Sequence, residues 1–434
     1  MLQVGFGVGD ITPRVGMEMP GGFQPRYGKG VRDPLIASAC VVFDGTNAAA
    51  LVGTDTVAID KRTVTAARNQ IAEATQIAGA NVLVGSSHTH SGGPSVTMAG
   101  DPLDPEYDKI LVRGIVEAVT SAWNSLHGAE LGIGTGRAEG LAFNRRFLMR
   151  DGREITHPGK PGTPHHDEIV RPAGPTDPDL GVLAARGPDG SILGLVCHFT
   201  CHSTVVGGDQ FSPDYAGYLR KHLKSRYGDS LPVVFLLGAC GDITQVDNMS
   251  TANEFGPDYA DMMGRALAAE TIRTIGRMAW RKEAPVAVAV ETAPCAIRPE
   301  PDPEAEKPPY GLGSAWDEEF ARERQHVAEE RAKNPIIPCE VQAIRLGPLG
   351  IATNGSEYFC DFGLRIKDCS PLKPTWVVTL ANEYIGYVPT AHAFHAGGYE
   401  PRTARSSKLA PDAGQKLLMA ALRGLNRVAG GGEA

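Results

Sequence analysis

The chain has 434 residues, enough for a large core built either as two or three domains or as one large catalytic unit. With 42% hydrophobic and 21% charged residues its composition is globular, and 52 glycines point to many turns and close backbone approaches. A formal charge of -8 and a pI near 5.9 exclude the basic footprint of a nucleic-acid or anionic-membrane binder. No apolar run approaches the roughly 18 residues of a membrane span. The N-terminus has neither the basic region nor the apolar stretch of a secretory signal, so a cytoplasmic protein acting on a small-molecule partner is expected, without stable membrane insertion.

In chain order, 39–43 and 48–52 read as a hairpin across Asp44-Gly45-Thr46-Asn47. Residues 61–78 then read as a helix that Gly79 stops. A short buried strand at 81–86 ends in Ser87-His88-Thr89-His90-Ser91-Gly92, and the segment after Asp104 has the apolar spacing of a helix. Strand 192–196 leads into Cys197-His198-Phe199-Thr200-Cys201-His202, and strand 232–237 into Gly238-Ala239-Cys240-Gly241-Asp242-Ile243-Thr244. Helices are expected at 213–227 and 257–278. Residues 292–333 look like a solvated proline- and acid-rich excursion, a lid or interaction arm, with a charged helix at 314–333. Strands follow at 341–346, 349–353 and 376–380, and an amphipathic helix at 412–428 ends in Gly430-Gly431-Gly432. No internal repeat is visible. The rhythm is that of an α/β protein with mixed central sheets flanked by helices, in which strand C-termini deliver polar residues.

Three histidine pairs stand out: His88/His90, His165/His166 and His198/His202. Residues i and i+2 of a strand share a face, so His88 and His90 can converge on a metal or a substrate, or simply be hydrogen-bonded core histidines. Asp242 sits in a glycine-flanked turn with Thr244 on the same side, and Gly241 lets backbone amides approach a ligand. Glu357 emerges at the end of strand 349–353. Tyr384 and Tyr387 follow the last strand, where they either pack or line a polar pocket. The eight cysteines lack paired zinc-finger spacing, and buried thiols are expected. His165/His166 and His392/His395 read as loop residues.

In order, Gly7-Val8-Gly9-Asp10-Ile11-Thr12-Pro13, Thr54-Asp55, Ser87-His88-Thr89-His90, Asn144-Arg145, Phe199-Thr200-Cys201-His202, Gly241-Asp242-Ile243-Thr244, Gly355-Ser356-Glu357 and Ala381-Asn382-Glu383-Tyr384-Ile385-Gly386-Tyr387 resemble the N-terminal catalytic domain of the neutral/alkaline non-lysosomal ceramidases. The likeness runs from Gly5 to about Glu400. It implies one ceramidase-like catalytic domain over 1–434, without that family's C-terminal immunoglobulin-like domain. It further implies zinc held by His88, His202, Glu357 and Tyr387. His202 is preferred to His198 because Phe-x-x-His and the loop to Ser212-Pro213-Asp214 match the family frame. His90 and Arg145 would then be catalytic, with Asp242 and Thr244 orienting the water or leaving group, and Tyr384 and Gly241 bordering the substrate.

The sequence departs from that family where Thr244-Gln245 replaces a Ser-Pro pair, the extra methyl crowding the metal. It departs again after Tyr387, where Val388-Pro389-Thr390 and later Tyr399-Glu400 would border a different substrate. The resemblance therefore implies a zinc-dependent hydrolase of an amide or ester bond acting on a small or polar substrate, with homo-oligomerisation open. The alternatives are a zinc hydrolase or lyase for a sugar derivative or cyclic amide, and a metal-containing binding protein without turnover.

Overall fold

The computed structural model describes residues 1–22, 24–97, 103–300 and 314–430. One winding of strands and helices occurs three times along the chain. In the first, the strands Gln3–Asp10, Ile36–Phe43 and Ala48–Thr54 pair antiparallel in turn. The helix Lys61–Ala74 then crosses over to a fourth strand, Val82–Ser86, parallel to the third. Glu130–Arg137, Asp179–Arg186 and Ile192–Phe199 repeat the pattern, with the helix Asp214–Tyr227 and the parallel strand Val233–Leu237. Val286–Ala296, Ile336–Leu346 and Leu349–Thr353 do so again, with the helix Cys360–Cys369 and the parallel strand Thr375–Val378. A further helix closes each unit: Pro105–Asn124, Pro257–Ile275 and Ala413–Ala429.

Side-chain alternation explains why these strands read as continuous apolar runs. In the first sheet Ala37, Ala39 and Val41 pack with the helices, whereas Cys40 and Val42 face inward. In the second, Val182 and Ala184 face helices and Leu183 and Ala185 face inward. In the third, Ala343 and Ala352 pack with helix residues, and Ile344 and Ile351 face inward. The inward sets form one shared core containing Leu51, Leu83, Val196, Val234, Trp376 and Val378. Three helix-covered sheets thus meet on their bare faces. Their loops after the third and fourth strands are brought toward a common rim, where the polar motifs lie.

Several boundaries differ from the sequence expectation. The first long helix ends at Ala74, because Thr75 turns extended and its hydroxyl caps the Ile71 carbonyl; Gly79 instead opens a short 3-10 turn. The helix expected to reach 278 stops at Ile275 before Gly276, and the strand before His202 extends through Phe199, so His198 is inside it. The excursion beginning at 292 is corrected in part: residues 292–296 belong to the strand Val286–Ala296, paired along its length with Ile336–Leu346. Residues 301–313 of that segment lie outside the described residues, as do Gly431 and Gly432. The helix Ser314–Lys333 is not a solvated arm, since Phe320, Glu323 and Val327 are buried. Its docking includes the ion pairs of Glu323 with Arg405 and Glu330 with Lys408, which apolar periodicity does not reveal. Among the cysteines, Cys369 is exposed and the others are buried, all as free thiols.

The first and second sheets touch at Gly53, where a Cβ would collide with the Phe235 carbonyl oxygen. Overpacking against backbone is expected to cost about 1–3 kcal/mol in Gly53→Ala, read as a lower urea midpoint. Gly207→Ala, with open space around the new methyl, should stay within about 0.5 kcal/mol of wild type. Equal midpoints for the two variants would contradict the close sheet contact.

Candidate metal centre

His88 leaves the strand Val82–Ser86 through a backbone turn with φ 65°, so its meeting with His90 comes from this turn and not from strand alternation. Its Nδ1 lies 2.6 Å from the Val57 carbonyl. His202 follows Phe199 by a short loop, and its Nδ1 lies 2.7 Å from the Cys240 carbonyl. A carbonyl only accepts, so both Nδ1 atoms carry a proton, and in the neutral imidazole the lone pair is then on Nε2. Glu357 arrives on the short strand Ser356–Tyr358, parallel to Gly386–Val388, in a register that sets Glu357 beside Tyr387.

The three groups face one another. Glu357 Oε2 is 3.4 Å from His88 Nε2 and 3.3 Å from His202 Nε2, yet it has no hydrogen-bond donor. Glu357 Oε1 accepts from the Tyr384 hydroxyl at 3.1 Å, which fixes which oxygen faces the histidines. The candidate ligand atoms of His88, His202 and Glu357 lie within 4.8 Å of one another and are buried. A buried carboxylate oxygen with no donor, set between two imidazole nitrogens, is an arrangement a cation resolves, and two imidazole nitrogens with a carboxylate oxygen suit zinc. These residues fit a metal ion.

Around this group is a cavity of about 450 Å³ lined also by His90, Arg145, His157, Thr204, Thr244, Phe255, Phe320, Glu323, Tyr387 and Tyr399. Among the described residues, a wider cleft of about 990 Å³ near Met1, Asp44 and Lys282 gathers no comparable set of ligand atoms. Burial, with Arg145 and His88 beside it, draws the His202 imidazole down to about 3. Burial, His88 and His202 likewise hold His90 well below its ordinary value, so it is neutral at pH 7. The Gly21 loop lies against the His90 ring, where a side chain would collide with Nδ1, and Arg26 donates to the His90 carbonyl.

Arg145 is buried behind the two tyrosines. Its Nε donates to Glu400 at 3.0 Å, its Nη2 to the Gly241 carbonyl at 2.6 Å and to the Tyr387 hydroxyl at 3.1 Å, and its Nη1 lies 3.3 Å from His202 Nε2. Glu400 also receives Arg146 at 2.6 Å, and Arg146 pairs with Glu154 at 2.7 Å, so two guanidinium groups balance two carboxylates in the interior. Although burial raises the Glu400 carboxyl, Arg146 and Arg145 outweigh it and keep the group ionised.

No protein-family model and no curated protein matches this sequence. Solved structures do match. A ceramidase complexed with C2 superposes with a TM-score of 0.76 at 17% identity, over 99% of this chain and 75% of that one. The neutral ceramidase from Pseudomonas aeruginosa gives 0.74 at 19% identity, over 98% of this chain and 75% of that one. The chain has the neutral ceramidase fold.

Within this ceramidase fold, His88, His90, Arg145, His202, Thr244, Glu357 and Tyr387 all line the cavity. Three other residues singled out in the sequence sit behind its wall. Asp242 was expected to orient water or a leaving group, but its Oδ1 accepts from the Cys360 backbone and its Oδ2 from Asn144, each at 2.8 Å. Burial pushes its carboxyl up to about 6, and it braces two loops. Tyr384 and Gly241, expected to border substrate, instead position the site: Tyr384 holds Glu357, while Gly241 lets the chain pass the Glu357 backbone and offers its carbonyl to Arg145. His198 stacks on Trp376 and bonds the Val377 carbonyl, away from the cavity.

Sequence reasoning passed over Arg146, His157, Thr204, Phe320 and Glu323. Of these, only His157 carries a local mark of function, a φ of 52° unusual for a residue with a side chain, and that is a backbone property. Removing one charge from the buried quartet leaves a guanidinium unpaired. Glu400→Gln is therefore expected to lose about 3–5 kcal/mol of stability in chemical denaturation; a loss under about 1 kcal/mol would show that the quartet is not desolvated.

Proposed function

We propose that this chain is a zinc-dependent hydrolase that cleaves the amide bond of a compact substrate. The observation that carries this reading is the buried convergence of two imidazole nitrogens on a carboxylate oxygen that has no hydrogen-bond donor. Zinc bound there would polarise a carbonyl and lower the pKa of water to roughly 7. Tyr387, beside Glu357 in the strand register, is the fourth candidate ligand.

The chain's own residues supply the remaining chemistry. His90, neutral at pH 7 and 3.4 Å from His88 Nε2, is placed to take a proton from the attacking water and return it to the departing nitrogen. Arg145 offers positive charge at the cavity wall; its Nε and Nη2 are committed to Glu400, Gly241 and Tyr387, and with the His202 lone pair given to a metal its Nη1 is free for a substrate oxygen. Tyr387 and Tyr399 flank its guanidinium and hold it in place. Thr244 supplies a hydroxyl to the same wall.

A cavity of about 450 Å³ suits a small substrate better than a two-chain membrane lipid. No helix among the described residues is long and apolar enough to cross a membrane. The test is hydrolysis of short-chain N-acyl amines, followed by amine release, by zinc-loaded and chelator-treated protein. Zinc-dependent turnover is expected, faster on short amides than on ceramide in vesicles. Arg145→Lys should lower kcat/KM by about 10²–10³-fold. Equal rates with and without chelator would contradict the proposal.

A further inference from the structure

Thr204 and Thr244 both line the cavity, and both hydroxyls end on one buried side chain, Gln245. The orientation of that amide follows from what surrounds it. Its Nε2 faces the carbonyls of Thr204 at 3.3 Å and Glu254 at 3.4 Å, and a carbonyl only accepts, so the nitrogen must sit on that side. Gln245 Oε1 is then the atom facing the two hydroxyls, 3.0 Å from Thr204 Oγ1 and 3.2 Å from Thr244 Oγ1. An amide oxygen cannot donate, so each threonine must spend its only proton on Gln245.

The consequence is a wall of fixed polarity. A free hydroxyl rotates to suit either a donor or an acceptor, whereas these two can now only accept. Thr244 already takes the Val246 backbone N–H at 3.3 Å, so Thr204, two residues beyond the candidate ligand His202, keeps the greater accepting capacity. Gln245 itself is fully used, with two donors given and two hydrogen bonds received.

We propose that Thr204, oriented by Gln245, is a specificity-determining residue that selects substrates carrying a neutral hydrogen-bond donor, a hydroxyl or an N–H, near the scissile amide. This rests on the cavity being the substrate site. Thr204 contacts the substrate, and Gln245 is a positioning residue that acts through it. A substrate atom of equal size that can only accept meets lone pairs and is repelled.

The experiment compares N-hydroxyethyl acetamide with N-fluoroethyl acetamide, which differ in a donor and leave size nearly unchanged, by ligand-observed NMR titration of zinc-loaded protein. Wild type is expected to bind the hydroxyl compound about tenfold more tightly. Thr204→Val should bring the two within about twofold, and Thr204→Ser should restore the preference. Gln245→Met, which frees the threonine protons, should shrink the preference by improving binding of the fluoro compound, a change that simple loosening of the site would not give. Equal affinity in wild type, no binding of either compound, or a preference that survives Thr204→Val would overturn the inference. Turnover of the same amides is read separately: binding selectivity without hydrolysis would count against the proposed function and leave the selectivity standing.

Discussion

The cavity is organised around three acceptors held close together, His88 Nε2, His202 Nε2 and Glu357 Oε2. Two imidazole lone pairs and a carboxylate oxygen within a few ångströms, out of water, are unfavourable unless a cation lies between them. Each member is held by a contact on its far side. Carbonyls of Val57 and Cys240 fix the histidine tautomers, and Tyr384 holds the far oxygen of Glu357. These three contacts aim the centre and do not neutralise it, whereas the Arg145 guanidinium, its Nη1 3.3 Å from His202 Nε2, sets positive charge beside it.

The threefold winding explains how residues so far apart in sequence arrive together. His88 follows the fourth strand of the first unit, His202 the third strand of the second, and Glu357 the third strand of the third. Because the three sheets share one inner core, the ends of those strands are positioned by packing that is independent of the loops. The loops then need only short excursions. Beneath them the Arg145, Glu400, Arg146 and Glu154 quartet ties the 143–157 region to the segment after Tyr387.

Much of this architecture was legible in the residues. The hairpin across Asp44-Gly45-Thr46-Asn47 and the apolar strands ahead of each polar motif follow from turn chemistry and burial on both faces. The repeat was not legible, because three sheets with the same winding need share no residue identities, only alternation. Helix ends shifted where a side chain, as at Thr75, competed with periodicity. In the site, motif residues at strand ends line the cavity, whereas His157 and Glu323 were missed because their places depend on chain segments that pack from elsewhere, and Thr204, two residues past His202, because a loop threonine carries no pattern of its own. Asp242 and Tyr384 looked like cavity groups in the sequence; only the hydrogen bonds show that Asp242 is committed to Cys360 and Asn144 and the Tyr384 hydroxyl to Glu357.

The most direct test of the central claim is the metal content of untagged protein by elemental mass spectrometry, for wild type, Glu357→Gln and His198→Ala. The account predicts near-stoichiometric zinc in wild type and in His198→Ala, whose histidine packs on Trp376, and loss of zinc in Glu357→Gln, which removes the only anionic ligand of the three. Wild-type protein that binds no metal when zinc is supplied, or a Glu357→Gln variant that retains it fully, would contradict the account.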